Sequence, residues 1–291
     1  MAPKDLLVSV DRTSAGEGRV RIACALARQW QAHLCAVHPL FTETLPAEPP
    51  QFIDYGPVAV PGSGISVHPP GLAIAAINRA AERDEAAQNL FEAEARANGI
   101  ASEWRFVESG AEVIELARSV DLAILGQVAG EGPVEGAARF RPEDIMMATG
   151  CPTLVIPYAG TFTTVGRRVL IAWDGTREAI RAMRDALPLI EGAEAVTLLH
   201  VAAREAALGE IRPALDRALG HLQHHGIAAQ AEESVRGDLA VSDVLLSRAA
   251  DLSADLIVSG LYHHSPLREA VLGGVSRDLL AHMTVPVLLS R

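Results

Sequence analysis

The 291-residue sequence contains one pattern of segments twice. An apolar segment leads into Asp11 and another leads into Asp174, while DLAILG at 121–126 is matched by DLIVSG at 255–260. The aspartates lie 163 residues apart (174 minus 11) and the later segments 134 apart (255 minus 121), so the first copy carries about 29 additional residues. A repeat of this length is too long for a solenoid unit and predicts two duplicated domains.

The amino-acid composition argues against two classes of binding partner. Apolar residues make up 49% of the chain and charged residues 21%, with a formal net charge of -11. Surfaces that bind nucleic acid or anionic lipid need clustered Lys and Arg, so we expect neither partner. The longest apolar stretches fall short of the roughly 20 residues of a bilayer span, and no apolar signal core precedes the first strand, so we expect a cytosolic protein.

Short apolar strands alternate with helices in both copies. In the second copy we predict strands at 169–173, 195–201, 227–234, 255–260 and 285–290, a helix capped by Thr176, and helices at 205–225, 239–252 and 274–283. In the first we predict strands at 6–10, 33–37, 103–108, 122–126 and 151–156, with helices at 18–31, 74–98 and 111–119. This alternation predicts an α/β fold of two tandem flavodoxin-like domains, each a five-stranded parallel sheet with helices on both faces. In such a sheet the ligand crevice lies where the winding reverses, which here places the loops after the first and fourth strands side by side.

Two segments interrupt the repeat. Residues 42–71 hold seven prolines and four glycines, so neither a regular helix nor a central strand is expected there, and we interpret the segment as a surface excursion that serves as a lid or dimer contact. Gly160–Gly166 is interpreted as the core of a linker. We therefore predict an N-terminal domain at 1–158, a linker at 159–166 and a C-terminal domain at 167–291.

Three motifs together resemble the universal stress protein family, in its bacterial form with two such domains in one chain. The first strand ends in Asp174, Gly175 and Thr176, the fourth strand enters a glycine-bearing loop at Gly260, and the last strand is introduced by the Val-Pro-Val of 285–287. The resemblance covers nearly the whole chain apart from the insertion. It implies the adenine nucleotide alpha hydrolase-like variant of the predicted fold and places Asp174 near the base or ribose of a bound nucleotide.

The resemblance also implies which residues border the phosphates. In ATP-binding members the loop after the fourth strand reads Gly, two residues, Gly, nine residues, Gly, then Ser or Thr. Glycines let backbone N–H groups approach phosphate oxygens, and the following helix N-terminus favours negative charge. Gly260 and Gly273 match this pattern, whereas His263 stands at the second glycine and Gly274 at the hydroxyl position, with Ser276 two residues further on.

The first copy departs further from the same pattern. Gly126 matches the first glycine, but the spaced glycines before the next helix are missing, and four acidic residues occupy this region: Glu131, Glu135, Glu143 and Asp144. Like charges there disfavour an anion. We therefore expect no nucleotide in the N-terminal copy, and we interpret Asp11 as a turn and helix-capping residue.

Neither histidine nor cysteine spacing indicates a metal site. His221, His224 and His225 have helical spacing, but no further ligands complete a four-ligand set before a glycine that ends the helix. Three cysteines show no CxxC spacing and are interpreted as small buried hydrophobic residues in a reducing compartment: Cys24, Cys35 and Cys151.

Three functions remain open from the sequence. The first is a cytosolic stress-response protein with one adenine-nucleotide site, for ATP or a related nucleotide, in the C-terminal domain. The second is a stress-related interaction module that binds no nucleotide, which the departures at His263 and Gly274 favour. The third is slow ATP hydrolysis, although no nucleophile with a base and no convergent pair of carboxylates demands catalysis.

The family resemblance implies how the two copies associate. In the family the edge strand at the end of the domain pairs across a two-fold axis, so we expect the copies to pack as a pseudo-dimer through the strands that contain Val155 and Val287. A homodimer of whole chains is a further expectation.

Overall fold

The computed structural model describes residues 2–11, 13–39, 71–128, 141–261 and 274–291, with only the backbone of 71–83 described. Within these residues the chain forms ten strands and eight α-helices. The strands are β1 Asp5–Ser9, β2 His33–Pro39, β3 Ser102–Val107, β4 Leu122–Gly126, β5 Thr153–Ile156, β6 Arg168–Ala172, β7 Ala195–Ala202, β8 Ala229–Val235, β9 Leu256–Gly260 and β10 Val287–Ser290. The helices are α1 Ser14–Trp30, α2 Gly71–Asn98, α3 Gly110–Ala117, α4 Pro142–Thr149, α5 Arg177–Ile190, α6 Arg212–His224, α7 Val241–Asp251 and α8 Gly274–His282.

The ten strands form one continuous sheet in the order β3-β2-β1-β4-β5-β10-β9-β6-β7-β8. Neighbouring strands are parallel within β1 to β5 and within β6 to β10, which we call the N-terminal half and the C-terminal half. Each half has the same order, and in each the winding reverses between its first and fourth strands. The predicted α/β fold class with two five-stranded parallel units is confirmed.

The two halves are joined by the antiparallel pair of β5 and β10. Val287 lies opposite Val155, and the pairing continues with Leu288 opposite Leu154, so the predicted association through these strands is present. Every residue of both strands is buried. The pairing hydrogen-bonds two edges that each half would otherwise expose, and it leaves β3 and β8 as the outer edges.

Local sequence signals explain most element boundaries. Thr176 caps α5 as predicted, because its side chain accepts a hydrogen bond from Ala179 N. The helix predicted from residue 205 begins only at Arg212, since Gly209 adopts a positive φ of 82° and the proline that follows Arg212 is tolerated in a first turn. The predicted 42–71 excursion falls outside the described residues except for Gly71, which already belongs to α2.

The three cysteines are free and buried, as predicted. Burial raises the pKa of each thiol to about 12, so none is a thiolate at neutral pH. Across the described ranges of the chain, none of the helices combines the length and the apolar composition that crossing a bilayer would require.

Replacing Val155 with aspartate tests the dependence of the fold on the central strand pair. Val155 is fully buried, so the new carboxylate would lack both water and a partner. We expect the free energy of unfolding to fall by at least about 3 kcal/mol in denaturant titration. The matched control is Ser234→Asp on the edge strand β8, where partial exposure predicts a change within about 0.5 kcal/mol. Equal losses in the two variants would contradict the role given to this pair.

Candidate functional site

A cleft of about 400 Å³ opens in the C-terminal half at the carboxyl ends of β6 and β9. It lies at the point where the winding of this half reverses, which is the place predicted for a ligand. Most of its walls are apolar: Ala172, Trp173, Ala179, Leu199, Val201, Val241, Leu245 and Val275. Its polar side chains are fewer: Asp174, Thr176, Glu178, His200, Ser259 and Ser276. Apolar walls with a few convergent polar groups are typical of a site for a small organic ligand.

Asp174 reaches the cleft because the chain turns immediately after β6. Its Oδ1 accepts hydrogen bonds from Thr176 N at 2.9 Å and from the Thr176 hydroxyl at 2.6 Å. Asp174 is exposed, and no described residue donates a hydrogen bond to Oδ2. One carboxylate oxygen therefore builds the turn while the other remains available to a ligand hydroxyl or cation.

Gly260 is required by the close approach of α5 to the end of β9. A Cβ added to this glycine would lie 2.6 Å from the carbonyl carbon of Glu178 and 2.7 Å from the backbone nitrogen of Ala179. Both are backbone atoms of the first turn of α5, so a side chain at this position would displace the helix. The absence of a side chain keeps the N-terminus of α5 at the rim of the cleft.

The first turn of α8 forms the opposite wall. Gly274 and Ser276 both line the cleft, and Ser276 is only 1% exposed. No hydrogen bond joins the Ser276 hydroxyl to another described residue, so this hydroxyl is available to a ligand in the cleft. The structure thus brings Asp174, Gly260, Gly274 and Ser276 around one cleft, whereas the predicted residues His263 and Gly273 lie outside the described residues.

His200 is a polar residue of the cleft that the sequence patterns did not single out. Its Nδ1 lies 3.0 Å from the carbonyl oxygen of Trp173, which can only accept, so Nδ1 carries the proton. In the neutral ring Nε2 is then an acceptor, and it makes no hydrogen bond to any described residue. Comparing the two copies could have revealed this histidine, because His38 lies near the end of the corresponding strand of the first copy. The Nδ1 of His38 likewise lies 3.0 Å from a carbonyl oxygen, that of Val10.

His38 has a different environment from His200. It is fully buried, its Nε2 lies 2.6 Å from an Asp84 carboxylate oxygen, and its ring stacks on Trp104 at a centroid distance of 5.2 Å. The second nitrogen of His38 is therefore occupied within the protein. Only the C-terminal copy presents this nitrogen to a cleft.

The carboxylate of Asp174 gives one side of the cleft a negative charge, and the neighbouring carboxylate of Glu178 is ion-paired with Arg177 at 2.6 Å. The hydrogen bond from Arg177 lowers the pKa of Glu178, so this residue is ionised at neutral pH, and Asp174 lies on the same side. An anionic group of a ligand is therefore favoured at the opposite wall, where the N-terminus of α8 presents backbone N–H groups. The two walls suit a molecule that is polar at one end and anionic at the other.

The corresponding crevice of the N-terminal half is filled by the side chain of Arg19. Its Nη2 lies 2.6 Å from Asp11 Oδ2 and its Nε donates to the Ser9 carbonyl oxygen at 2.6 Å. A Cβ on Gly126, the counterpart of Gly260, would lie 2.3 Å from Arg19 Nη1. Counting from the two aspartates, the residue of the second copy that corresponds to Arg19 is Ala182. The arginine that fills the crevice of the N-terminal half thus has an alanine as its counterpart in the C-terminal half.

Asp11 also has the turn role that the sequence predicted. Its Oδ1 accepts a hydrogen bond from Thr13 N at 3.0 Å. The predicted capping by Asp11 is wrong, because Thr13 is the N-cap of α1 and its hydroxyl accepts from Gly16 N at 3.0 Å. The ion pair with Arg19 is the part that was missed. Aligning the two copies on their aspartates would have revealed a charged residue where the other helix carries alanine.

The three histidines near the end of α6 do not reach the cleft. The rings of His221 and His225 are 4.8 Å apart and meet edge to face. Burial, followed by the charge of His225, lowers the pKa of His221. Within the described part of the chain, no group of three or more His, Cys, Asp or Glu side chains is arranged to hold a metal ion.

Comparison with family models finds a match in the C-terminal half. Residues 166–291 match the model of the Universal stress protein family. A search of curated protein sequences found no significant match. The matched range includes Asp174 to Thr176, Gly260 and the Val-Pro-Val of 285–287, the motifs that carried the resemblance in the sequence.

Solved structures share the fold of the whole chain. A universal stress protein from Archaeoglobus fulgidus DSM 4304 is 13% identical, with 99% of this chain and 98% of that chain covered and a TM-score of 0.66. A protein of unknown function from Pseudomonas aeruginosa PAO1 is 15% identical, with 99% and 92% covered and a TM-score of 0.59. A universal stress protein from Archaeoglobus fulgidus in complex with dAMP is 21% identical over 44% of this chain and all of that one, with a TM-score of 0.35. At these identities the first two likenesses show the fold alone.

Arg19→Met tests the internal ion pair of the N-terminal half. Asp11 and Arg19 are 7% and 2% exposed, so the variant leaves a buried carboxylate without its partner. We expect a loss of about 3 to 5 kcal/mol in the free energy of unfolding. The control is Arg167→Met, which removes an ion pair to Glu194 with partners 60% and 50% exposed and should cost no more than about 1 kcal/mol. The double variant Asp11→Asn, Arg19→Met should recover part of the loss, and no recovery would contradict the ion-pair explanation.

The same pair predicts a dependence of stability on pH. Burial by itself raises the pKa of Asp11, but the charge of Arg19 and the hydrogen bonds from Thr13 and Arg19 together hold it below its ordinary value of 3.8. The folded protein binds this proton more weakly than the unfolded chain, so the stabilisation is present above the unfolded pKa and is lost as pH falls through the folded pKa.

The measurement is the difference in unfolding free energy between the wild type and Asp11→Asn across acidic pH. We expect the advantage of the wild type to shrink as pH is lowered from about 5 to about 2. A difference that is constant or that grows in acid would exclude this source of stability.

Proposed function

Because residues 166–291 match the model of the Universal stress protein family, we propose that this chain is a stress-response protein that binds one adenine nucleotide, ATP or a related molecule, in the cleft of its C-terminal half. The observation that carries the proposal is the convergence of Asp174, Gly260, Gly274 and Ser276 on a single apolar cleft. These four residues come from the loops and ends of three separate elements, and only the folded chain brings them together.

The cleft walls fit the parts of such a nucleotide. Apolar side chains such as Leu199 and Leu245 suit the faces of a purine base, and His200 Nε2 offers an acceptor to an amino group. The free oxygen of Asp174 suits a ribose hydroxyl, since a carboxylate accepts strong hydrogen bonds. The first turn of α8, with Gly274 and the hydroxyl of Ser276, suits phosphate oxygens.

We further propose that the N-terminal half binds no nucleotide. The guanidinium of Arg19 occupies the crevice beside Asp11 and Gly126, and the first turn of α4 adds Glu143 and Asp144 on that half. The binding stoichiometry is then one nucleotide per chain. In this proposal the chain divides into domains at 1–158 and 167–291, which pair through β5 and β10, and a homodimer of whole chains remains a proposal for measurement in solution.

The second candidate function is an interaction module that binds no nucleotide. Two carboxylates, Asp174 and Glu178, line a cleft whose described residues include no Lys or Arg, and Gly274 lacks the hydroxyl of the family pattern. Both features weaken the attraction for a polyphosphate. This candidate predicts that millimolar ATP leaves the protein unliganded.

Equilibrium dialysis with ATP tests the first candidate directly. We expect saturation at one nucleotide per chain, and we expect Asp174→Asn to lower the affinity about tenfold, because an amide accepts a weaker hydrogen bond than a carboxylate does. The amide oxygen retains the acceptor of the turn, so the thermal stability of this variant should match the wild type.

Asp216→Asn is the matched control for this experiment. Asp216 is an exposed carboxylate on α6 that pairs with Arg212 and does not line the cleft. Its affinity for ATP should equal that of the wild type. No binding of ATP to the wild type at millimolar concentration would remove the nucleotide proposal and leave the interaction module.

A further inference from the structure

One side chain of the N-terminal half reaches across to the helix that bears the cleft. Gln127 follows β4, and its amide nitrogen donates to Leu280 O at 2.8 Å and to Ala281 O at 3.2 Å. Both acceptors are in the last turn of α8, more than 150 residues away in the chain. The side chain therefore connects the carboxyl end of the N-terminal sheet half to the C-terminal end of α8.

The backbone around Gln127 is itself held in place. Gln127 N donates to Ile156 O at 2.8 Å, which ties the residue to the end of β5. Its side-chain oxygen accepts from Tyr158 N at 3.2 Å, so the nitrogen and the oxygen of the side-chain amide both make hydrogen bonds. A half-buried amide with this many partners has few alternative orientations, and it can act as a fixed point for the helix.

The contact satisfies groups that a helix cannot satisfy alone. The last carbonyl groups of an α-helix have no partner within the helix, and they are the negative end of its dipole. The amide of Gln127 donates to two of these carbonyls in α8. Because the helix has only nine residues, about 13 Å in length, its far end is the turn that places Gly274 and Ser276 at the cleft.

The second copy has no glutamine at the corresponding position to make the symmetry-related contact. Gly126 and Gly260 are counterparts, so the residue corresponding to Gln127 is Leu261. Leu261 is fully buried and belongs to the same apolar cluster as Met146 of α4. The pseudo-two-fold relation is therefore broken at this position, with an amide facing the helix of the C-terminal half and a leucine on the other side.

We propose that Gln127 is a positioning residue for the cleft of the C-terminal half: it holds the C-terminal end of α8 so that the first turn of this helix stays at the cleft wall. The half without an open crevice thereby supports the site of the other half. This inference rests on the proposed function for its consequence in binding, but the positioning of α8 is measurable without any nucleotide.

The first test is hydrogen exchange in the unliganded protein. In Gln127→Ala the amides of α8 should exchange about tenfold faster, whereas those of α7 should be unchanged. Gln127→Glu should have at least the same effect, because a carboxylate cannot donate to the carbonyls and its charge opposes the helix dipole. The control is Gln230→Ala, since Gln230 donates its amide only to side chains, those of Thr197 and Glu232.

The second test measures the cleft geometry itself. Arg177 and Arg277 are exposed residues in the first turns of α5 and α8, and spin labels on Arg177→Cys and Arg277→Cys report the distance between the two walls. The native cysteines are buried, with pKa values of about 12, and should remain unlabelled. The distance distribution should broaden in Gln127→Ala and Gln127→Glu and stay narrow in Gln230→Ala.

Measuring the affinity for ATP separates the role of Gln127 from the proposed nucleotide function. If the wild type binds ATP, both Gln127 variants should bind it about three- to tenfold more weakly. If the wild type does not bind ATP, the proposed function fails while exchange and label distances still decide the role of Gln127. Unchanged α8 exchange and an unchanged distance distribution in both variants would overturn the inference, as would equal acceleration of exchange in α7 and α8.

Discussion

The rest of the structure depends on the hydrogen-bonded pair of β5 and β10. A parallel five-stranded half ends in a strand whose outer edge has unpaired backbone groups, and a fully buried strand cannot leave such groups without partners. Pairing the last strand of one half with the last strand of the other satisfies both edges at once. It also brings the carboxyl end of β5 beside α8 of the other half.

The crevices of the two copies differ. In the N-terminal half, Arg19 fills the crevice with an internal ion pair to Asp11. In the C-terminal half the corresponding alanine leaves the crevice open, and His200 and Asp174 face it. Each copy nevertheless provides half of one continuous sheet. The contact from Gln127 to α8 shows a specific way in which the filled half is connected to the open one.

Much of the candidate site could be predicted from the sequence. Asp174 and Gly260 were expected at one crevice, since parallel strands bring their carboxyl ends to the same edge and the motifs followed the first and fourth strands, and the family resemblance added Gly274. Ser276 was expected as a substitute hydroxyl, and it lines the cleft. His200 and Arg19 were missed because each lies within an apolar pattern that predicts only a strand or a helix, and such a pattern does not show which way a long polar side chain is directed. Gln127 was beyond any local pattern, because its partners are more than 150 residues away.

The sequence by itself determined the duplication, the order of strands and helices, and the strands through which the copies pair. The first two features follow from local periodicity, from turn residues and from the repetition of motifs, all of which act over short stretches of chain, whereas the pairing strands were implied by the family resemblance. Only the tertiary structure decided that the N-terminal crevice is filled, that the C-terminal one is open, and that the two are connected through Gln127. The physical reason is that the filling of a crevice and long-range hydrogen bonds depend on which side chains meet in space. The spacing of residues along the chain does not show which of them become neighbours in the fold.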